Sequence, residues 1–157
     1  MRLAAIRLKL LLTLALCLVC GAVAAQALPQ RFDPARDAGA DLAAAVSLAR
    51  AQGKRVLVDV GGEWCSWCHI LDHAIATDDE LRALRDQYYV WLKINFSPTN
   101  RNEQVLSRWP KVAGYPHLFV LDENGRLLHS QSTGALESGR SYDRGKLLHF
   151  LSEHRRS

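Results

Sequence analysis

The feature that most constrains this chain is the stretch at residues 56–69, VLVDVGGEWCSWCH. Its first five residues form a short apolar run, broken only by Asp59, which predicts a strand buried on both faces of a parallel or mixed sheet. Two glycines follow, and Cys65 and Cys68 then open a run with helical apolar spacing. A helix N-terminus lowers a thiol pKa because its unpaired N–H groups and dipole stabilise the thiolate. The stretch therefore predicts a redox-active dithiol at a strand-to-helix junction.

The first residues of the chain have the pattern of a targeting segment. A basic start, a short apolar run at 10–19 and an Ala-Gln-Ala end predict a secretory signal peptide over residues 1–27. The apolar run is too short and too close to the N-terminus to favour a membrane span, although an uncleaved anchor stays open. A lipoprotein cleavage site at Cys20 is a second alternative, which is disfavoured because bulky Val19 stands where a small residue is expected.

Removal of this segment changes what the charge and the cysteines indicate. Residues 1–27 hold three basic and no acidic residues, so 17 of the 20 Lys and Arg remain against 16 Asp and Glu, a net charge of +1. A balance this close to neutral gives no argument for nucleic-acid binding. Cys17 and Cys20 leave with the segment, and only Cys65 and Cys68 remain. A stapled secreted framework needs more cysteines at wider spacing, so the pair indicates chemistry rather than scaffolding.

Helical and strand patterns alternate along the rest of the chain, which we divide into a lead-in segment at 28–40 and one domain at 41–157. We expect Asp41 to cap the first helix. The alternation predicts a mixed α/β sheet with helices on both faces, and an Asn-Gly turn at 124–125 adds an antiparallel edge. The predicted helices lie at 41–52, from Cys65 to 77, at 78–87, 103–109 and 143–154, and the predicted strands at 56–60, 88–96, 117–121 and 126–130, with a polar loop at 131–142.

The two remaining cysteines are predicted to have different roles. Cys65, at the helix N-terminus, is the expected nucleophile, and Cys68, one turn further in, would resolve a mixed disulfide by attacking Cys65. Half of a zinc site is an alternative, but histidines would have to complete it because no second cysteine pair follows. With His69 the motif also matches the C-x-x-C-H string of c-type haem attachment. Haem attachment explains neither the preceding strand nor the segment at Pro116, and the chain has no methionine besides its first residue to serve as an axial ligand.

Four short motifs together resemble the thioredoxin family in their order and approximate spacing. The likeness runs from about Asp41 to His154. It is strongest to exported thioredoxin-like domains, such as the periplasmic C-terminal domain of the transmembrane disulfide-interchange reductases. The resemblance implies a thioredoxin fold, with a mixed central sheet between two layers of helices. The motifs are Val58-Asp59, Glu63-Trp64-Cys65-x-x-Cys68, Lys93-Ile94-Asn95 and Gly114-Tyr115-Pro116.

The resemblance also implies roles for individual residues. Pro116 matches the family's cis-proline, which packs against the cysteines and offers backbone to an extended substrate. Tyr115, directly before it, stands where the family has a smaller residue. Asp59 matches a buried acid whose raised pKa lets it take the proton of Cys68 as a general base. Lys93 matches the lysine that partners this acid.

The residues around the cysteines indicate how the site could meet a substrate. We expect Trp64 to shield the disulfide, and Trp67 either to contact substrate or to cover the domain. With Tyr115 and Pro116, these tryptophans make up the predicted substrate-binding set. The glycines at 61–62 replace bulkier residues of the family, which predicts space beside the thiols. His69 is expected to be a solvated helix histidine.

These observations predict an exported, periplasmic thiol-disulfide oxidoreductase that reduces protein disulfides through a mixed disulfide at Cys65, resolved by Cys68. No organic cofactor and no metal are expected, because the dithiol is itself the redox centre. The expected partners are protein thiols and disulfides, and a membrane or periplasmic electron donor. The alternative is a copper-binding or thiol-chaperone protein in which Cys65, Cys68 and His69 hold Cu(I), since soft thiolates select that ion.

Overall fold

Helices and strands alternate along residues 27–156, the part of the chain that the computed structural model describes. The predicted signal peptide, except for its last residue, lies outside the described residues. Cys17 and Cys20 lie outside them as well. Within 27–156 no helix is long and apolar enough to cross a membrane. The helices are α1 (Ala38–Gln52), α2 (Ser66–Thr77), α3 (Asp79–Tyr88), α4 (Glu103–Leu106) and α5 (Arg144–Glu153), with a 3₁₀ helix at Thr133–Leu136. The strands are β1 (Arg55–Gly61), β2 (Tyr89–Asn95), β3 (His117–Leu121), β4 (Leu127–Ser132), β5 (Glu137–Ser138) and β6 (Ser141–Tyr142).

Four strands form the central sheet in the order β2-β1-β3-β4. β1 runs parallel to β2 and antiparallel to β3, and β4 pairs with β3 as an antiparallel edge. The turn before β4 is held by the Asp122 carboxylate, which accepts from the Asn124 and Arg126 N–H groups at 2.9 and 2.8 Å. Gly125 in this turn has a φ of 81°, which favours glycine. The predicted mixed α/β sheet with an antiparallel edge is confirmed.

Helices cover both faces of the sheet, so the central strand β1 is buried on both sides. Val56, Val58 and Val60 point into the core beneath α1 and α4. Leu57 points into the opposite core, beneath α2, α3 and α5. Because side chains alternate along a strand, Asp59 and Gly61 face the same side as Leu57, the side on which α2 carries Cys68. This alternation brings a carboxylate beneath the cysteine motif.

Aspartates cap three of the helices and fix where each begins. Asp37 caps α1 by accepting from the N–H groups of residues 39 and 40. Asp78 caps α3, and Asp143 caps α5. The prediction that Asp41 caps the first helix was wrong, because α1 begins one turn earlier, within the segment assigned to the lead-in. Asp41 is instead buried and accepts from Arg36 Nε at 2.7 Å.

Two segments between the main elements differ from the sequence prediction. The short helix α4 ends at Leu106 rather than at 109, because the N–H groups of Arg108 and Trp109 bond to carbonyls three residues back. Trp109 then packs on Phe119, with ring centroids 4.8 Å apart. The predicted polar loop at 131–142 contains the 3₁₀ helix and the two-stranded ribbon of β5 and β6.

Candidate active site

Cys65 and Cys68 form a disulfide at the N-terminus of α2. Cys65 is the N-cap residue of α2, and its Sγ accepts from the Cys68 N–H at 3.2 Å. The Cα atoms are 5.3 Å apart, within the range that a disulfide spans. Both cysteines are buried, but Cys65 is 4% exposed whereas Cys68 is fully buried, so Cys65 is the more accessible residue of the pair. The N–H groups of the first turn of α2 can stabilise a thiolate at Cys65 in the reduced state.

An aromatic rim, formed by Trp64, Phe96 and Tyr115, lies beside the disulfide. Trp64 is 57% exposed, and its Nε1 donates to the Phe96 carbonyl at 2.8 Å. Its ring meets the Tyr115 ring edge-on at 5.7 Å, and Tyr115 stacks on Phe96 at 4.8 Å. Tyr115 also packs against the cysteine cluster. The structure thus brings the predicted substrate-binding residues Trp64 and Tyr115 together beside the cysteines, and Trp67 also packs against the cysteine cluster.

Pro116 continues the chain from this rim into β3. The Tyr115–Pro116 peptide bond is cis, and Pro116 is buried. The Pro116 carbonyl accepts from Thr133 Oγ1 at 2.6 Å. The Tyr115–Pro116 bond therefore has a contact on each side. The Tyr115 ring stacks on Phe96, and the Pro116 carbonyl bonds to the hydroxyl of buried Thr133.

A charge cluster of buried Asp59 and Lys93 and the partly exposed Asp72 lies on the α2 side of the sheet. Asp59 and Lys93 are register partners on β1 and β2. Lys93 Nζ donates to Asp59 Oδ2 at 3.0 Å and to Asp72 Oδ1 at 2.5 Å. Asp59 is fully buried, and its second oxygen has no hydrogen-bond partner among residues 27–156. The pairing of Asp59 with Lys93 that the family resemblance implied is present.

Burial controls the protonation of this cluster. Loss of hydration raises the pKa of Asp59 from 3.8 to about 6, against the opposing effect of the Lys93 charge. The negative charge of Asp72 pushes the Asp59 pKa in the same direction as burial. Burial disfavours the charged form of Lys93, but the two carboxylates outweigh it and raise the Lys93 pKa. Lys93 therefore stays charged near neutral pH, while Asp59 titrates close enough to neutrality to exchange a proton.

Several residues of this site were not singled out from the sequence, among them Asp72 and Phe32. Asp72 follows Cys68 by four residues, and this helical spacing places both on one face of α2, so a signal for it existed. Phe32 lies in the segment before α1 and packs directly with Cys65 and Cys68. No periodicity or motif marks Phe32, because its contacts depend on a distant part of the chain.

Trp67 packs against the cysteine cluster and against Tyr142, and His69 bonds to Glu63. Trp67 is half-buried, meets the Tyr142 ring edge-on at 5.5 Å, and its carbonyl accepts from the Tyr142 hydroxyl at 3.4 Å. Of its two predicted roles, covering the domain is the one that these contacts favour. His69 is exposed, and its Nε2 lies 2.9 Å from the Glu63 carbonyl oxygen, to which it donates. Among residues 27–156, no group of three or more His, Cys, Asp and Glu side chains is arranged to hold a metal ion.

Comparison with known proteins places this site in a family. The family model described as thioredoxin-like matches residues 37–123, more than half of the chain. The chain belongs to the thioredoxin-like family. This assignment confirms the family resemblance that the four sequence motifs indicated.

Among curated relatives, the chain is similar to the thiol:disulfide interchange protein DsbD of Pseudomonas fluorescens, 33% identical over 101 residues, which cover 63% of this chain and 17% of that protein. The protein of the same name from Actinobacillus pleuropneumoniae is 28% identical over 92 residues, covering 58% of this chain and 16% of the relative. The chain thus spans less than a fifth of the length of these thioredoxin-like relatives.

Solved structures share the fold. The disulphide isomerase from Xylella fastidiosa Temecula1 is 22% identical, with a TM-score of 0.68 over 81% of this chain and 96% of that one. The structure titled DsbH Oxidoreductase is 19% identical, with a TM-score of 0.52 over 82% of this chain and 83% of that one. These likenesses confirm the predicted thioredoxin fold.

Proposed function

We propose that this chain is an exported, periplasmic thiol-disulfide oxidoreductase that reduces disulfides in partner proteins. The observation that carries the proposal is the asymmetric disulfide, with Cys65 the slightly more exposed residue at a helix N-terminus and Cys68 fully buried on the side of Asp59. Likeness to thiol:disulfide interchange proteins supports dithiol exchange over the copper-binding and haem alternatives. The dithiol supplies the electrons itself, so the proposed reaction needs no organic cofactor and no metal.

The proposed reaction has two exchange steps. The Cys65 thiolate of the reduced protein attacks a substrate disulfide; the substrate S–S bond breaks, one substrate sulfur leaves as a thiolate, and a mixed disulfide forms at Cys65. The Asp59 carboxylate takes the proton of Cys68. The Cys68 thiolate then attacks Cys65 Sγ, the mixed disulfide breaks, and the second substrate sulfur leaves. Two electrons pass to the substrate, and Cys65 and Cys68 end as a disulfide.

The partners follow from this cycle. A substrate chain would lie against the exposed ring of Trp64 and the backbone around Tyr115 and Pro116, with half-buried Trp67 packed against the cysteine cluster. Renewal of the dithiol requires a second partner that donates two electrons through its own thiols. We propose a membrane or periplasmic dithiol protein in this role.

Variants of the two cysteines test the reaction. Cys65→Ser should abolish reduction of a model protein disulfide, because the attacking sulfur is lost. Cys68→Ser should still attack but not resolve, so the mixed disulfide accumulates and is visible on a non-reducing gel. The proposal is wrong if Cys65→Ser retains turnover, or if Cys68→Ser captures no substrate while the wild-type protein is active.

The reduction potential of the pair tests the direction of transfer. Trp64, beside the disulfide, offers a fluorescence signal during titration in a glutathione or dithiothreitol buffer. A potential near about −270 mV, the value of thioredoxin, supports a reductase. A value near about −120 mV is that of a strong oxidant and would reverse the proposed direction.

Export is tested on the whole chain in a bacterial host. We expect the protein in the periplasmic fraction, with a mass that corresponds to cleavage after Ala27. A lipid-modified Cys20 would replace cleavage at Ala27 with an anchored form. Recovery of uncleaved chain from the cytoplasm would contradict export.

A further inference from the structure

The Phe32 ring lies at the centre of the redox site, although Phe32 belongs to the segment before α1. Only 1% of Phe32 is exposed, and it forms one apolar cluster with Cys65 and Cys68. The same ring lies 4.3 Å from Lys93 Nζ, measured to the ring centre. Phe32 therefore touches both the sulfur pair and the charge cluster. It also lies outside residues 37–123, the part that the family model matches.

Gly61 provides the space that this ring occupies. A Cβ at position 61 would lie 2.4 Å from Cys68 Sγ and 3.1 Å from Phe32 Cζ, closer than van der Waals contact allows. The strand thus carries no side chain at the point where the sulfur and the ring meet. The aromatic wall comes from residue 32, 29 positions earlier in the chain.

Hydrogen bonds hold the segment in this place. The Phe32 N–H donates to Glu63 Oε1 at 2.9 Å, which ties the ring to the residue two positions before Cys65. Asn100 Nδ2 donates to the Pro34 carbonyl at 2.8 Å. Glu63 is exposed, so its contact with Phe32 can be removed without opening the core.

We propose that Phe32 is a positioning residue that shields Cys68 and the Asp59–Lys93 pair from solvent, so that small thiol-directed reagents reach Cys65 alone. Its importance for catalysis rests on the proposed function, because only the two-step exchange requires Cys68 to react after Cys65. The shielding itself is a property of the folded chain and is measurable without a substrate.

The rate at which iodoacetamide modifies Cys68 in the full chain carrying Cys65→Ser tests this proposal. Peptide mass spectrometry reads Cys68 separately from Cys17 and Cys20. Adding Phe32→Ala should raise the Cys68 rate roughly tenfold or more, since a buried thiol reacts only when its surroundings open. Glu63→Ala should raise it by a smaller factor.

Phe150→Ala is the matched control, because Phe150 is also buried but belongs to the apolar cluster that lacks the cysteines. It should leave the Cys68 rate within about twofold of the parent, as local opening is confined to the altered region.

An equal increase in Phe150→Ala would overturn the proposal, and so would unchanged rates in Phe32→Ala and Glu63→Ala. If Phe32→Ala does not fold, Glu63→Ala decides. If the reductase assay fails but Phe32→Ala still speeds modification of Cys68, the proposed function is wrong and the shielding of Cys68 by Phe32 stands.

Discussion

The two sulfurs of the disulfide have different surroundings. On the Cys65 side lies the aromatic rim, in which Trp64 is largely exposed and meets Tyr115 edge-on. On the Cys68 side lies the charge cluster, where Asp59 is fully buried and depends on Lys93 for charge compensation. The rim can meet another protein, whereas the cluster can only handle protons and charge. Changes at the rim should therefore alter partner binding, and changes in the cluster should alter stability and pH dependence.

The largest effect should come from Lys93→Met, which leaves a buried carboxylate without its cation. We expect the free energy of unfolding at pH 8 to fall by about 3–5 kcal/mol. The loss should be smaller at pH 5, where Asp59 can take up a proton instead. Urea denaturation at both pH values measures this. Lys146→Met, at an exposed lysine, should change stability by less than about 0.5 kcal/mol. Equal losses of stability in the two variants would show that Asp59 does not depend on the Lys93 charge.

The second effect is the pH dependence that Asp59 imposes on stability. An aspartate with an ordinary pKa of 3.8 when unfolded and about 6 when folded binds more proton in the native state between these values. The contribution of Asp59 to the free energy of unfolding should therefore fall as pH rises from about 4 to about 6, by up to about 3 kcal/mol, and stay level above. Asp59→Asn should lack this slope. The lowered pKa values of His117 and His154 make stability rise with pH, so the test is the difference between the wild-type and Asp59→Asn curves. A difference that rises with pH over this window would contradict the raised pKa of Asp59.

The third effect concerns the rim. Trp64→Ala removes an exposed ring and its bond to the Phe96 carbonyl. We expect KM for a protein disulfide to rise by roughly tenfold, since a contact ring contributes about 1–2 kcal/mol to partner binding. The reduction potential and the pH profile should stay as in the wild type. Leu48→Ala, at an exposed leucine on α1, is the control. If Trp64→Ala has a normal KM and a shifted reduction potential, the claim that the rim serves partner binding is wrong.

The smallest effect should come from Asp72→Asn. The Asp72 charge helps to raise the pKa of Asp59, so its removal should lower that pKa and move the slope of the stability curve to lower pH. The shift should be smaller than the whole effect of burial, because burial is the leading cause. Parallel pH titrations of the wild type and Asp72→Asn test this. If the slope stays at the same pH, the Asp72 charge does not affect the pKa of Asp59.

The elements closest to the motif were the most predictable from sequence. The strand before Cys65 and the helix after it follow from local pattern, and β3 agrees with its prediction at both ends, His117 and Leu121. The first helix was less certain, because Asp37 and Asp41 are one turn apart and both suit an N-cap. The cap hydrogen bonds to Asp37 and the ion pair of Asp41 with Arg36, five residues earlier, distinguish them in the structure.

Within the site, local spacing was informative where neighbours in sequence are neighbours in space. The pairing of Asp59 with Lys93 was reached through family resemblance, and the β1–β2 register accounts for it physically. The glycines at 61–62 predicted space beside the thiols, and at Gly61 the Cys68 sulfur and the Phe32 ring fill the place of a side chain. The occupant of that space could not be predicted, because Phe32 reaches Gly61 through a tertiary contact that leaves no repeat or motif.

The missing side chain at Gly61 also limits how far the motif can be treated as a module. Transplanting residues 56–69 into another thioredoxin-like domain would carry the two sulfurs and the acid, but leave a hole where the ring belongs. A host with a bulky residue in its own strand would not fill the hole, since that residue is the one replaced by glycine. The smallest transferable unit of this redox centre is therefore discontinuous and joins the motif to the segment that contains Phe32.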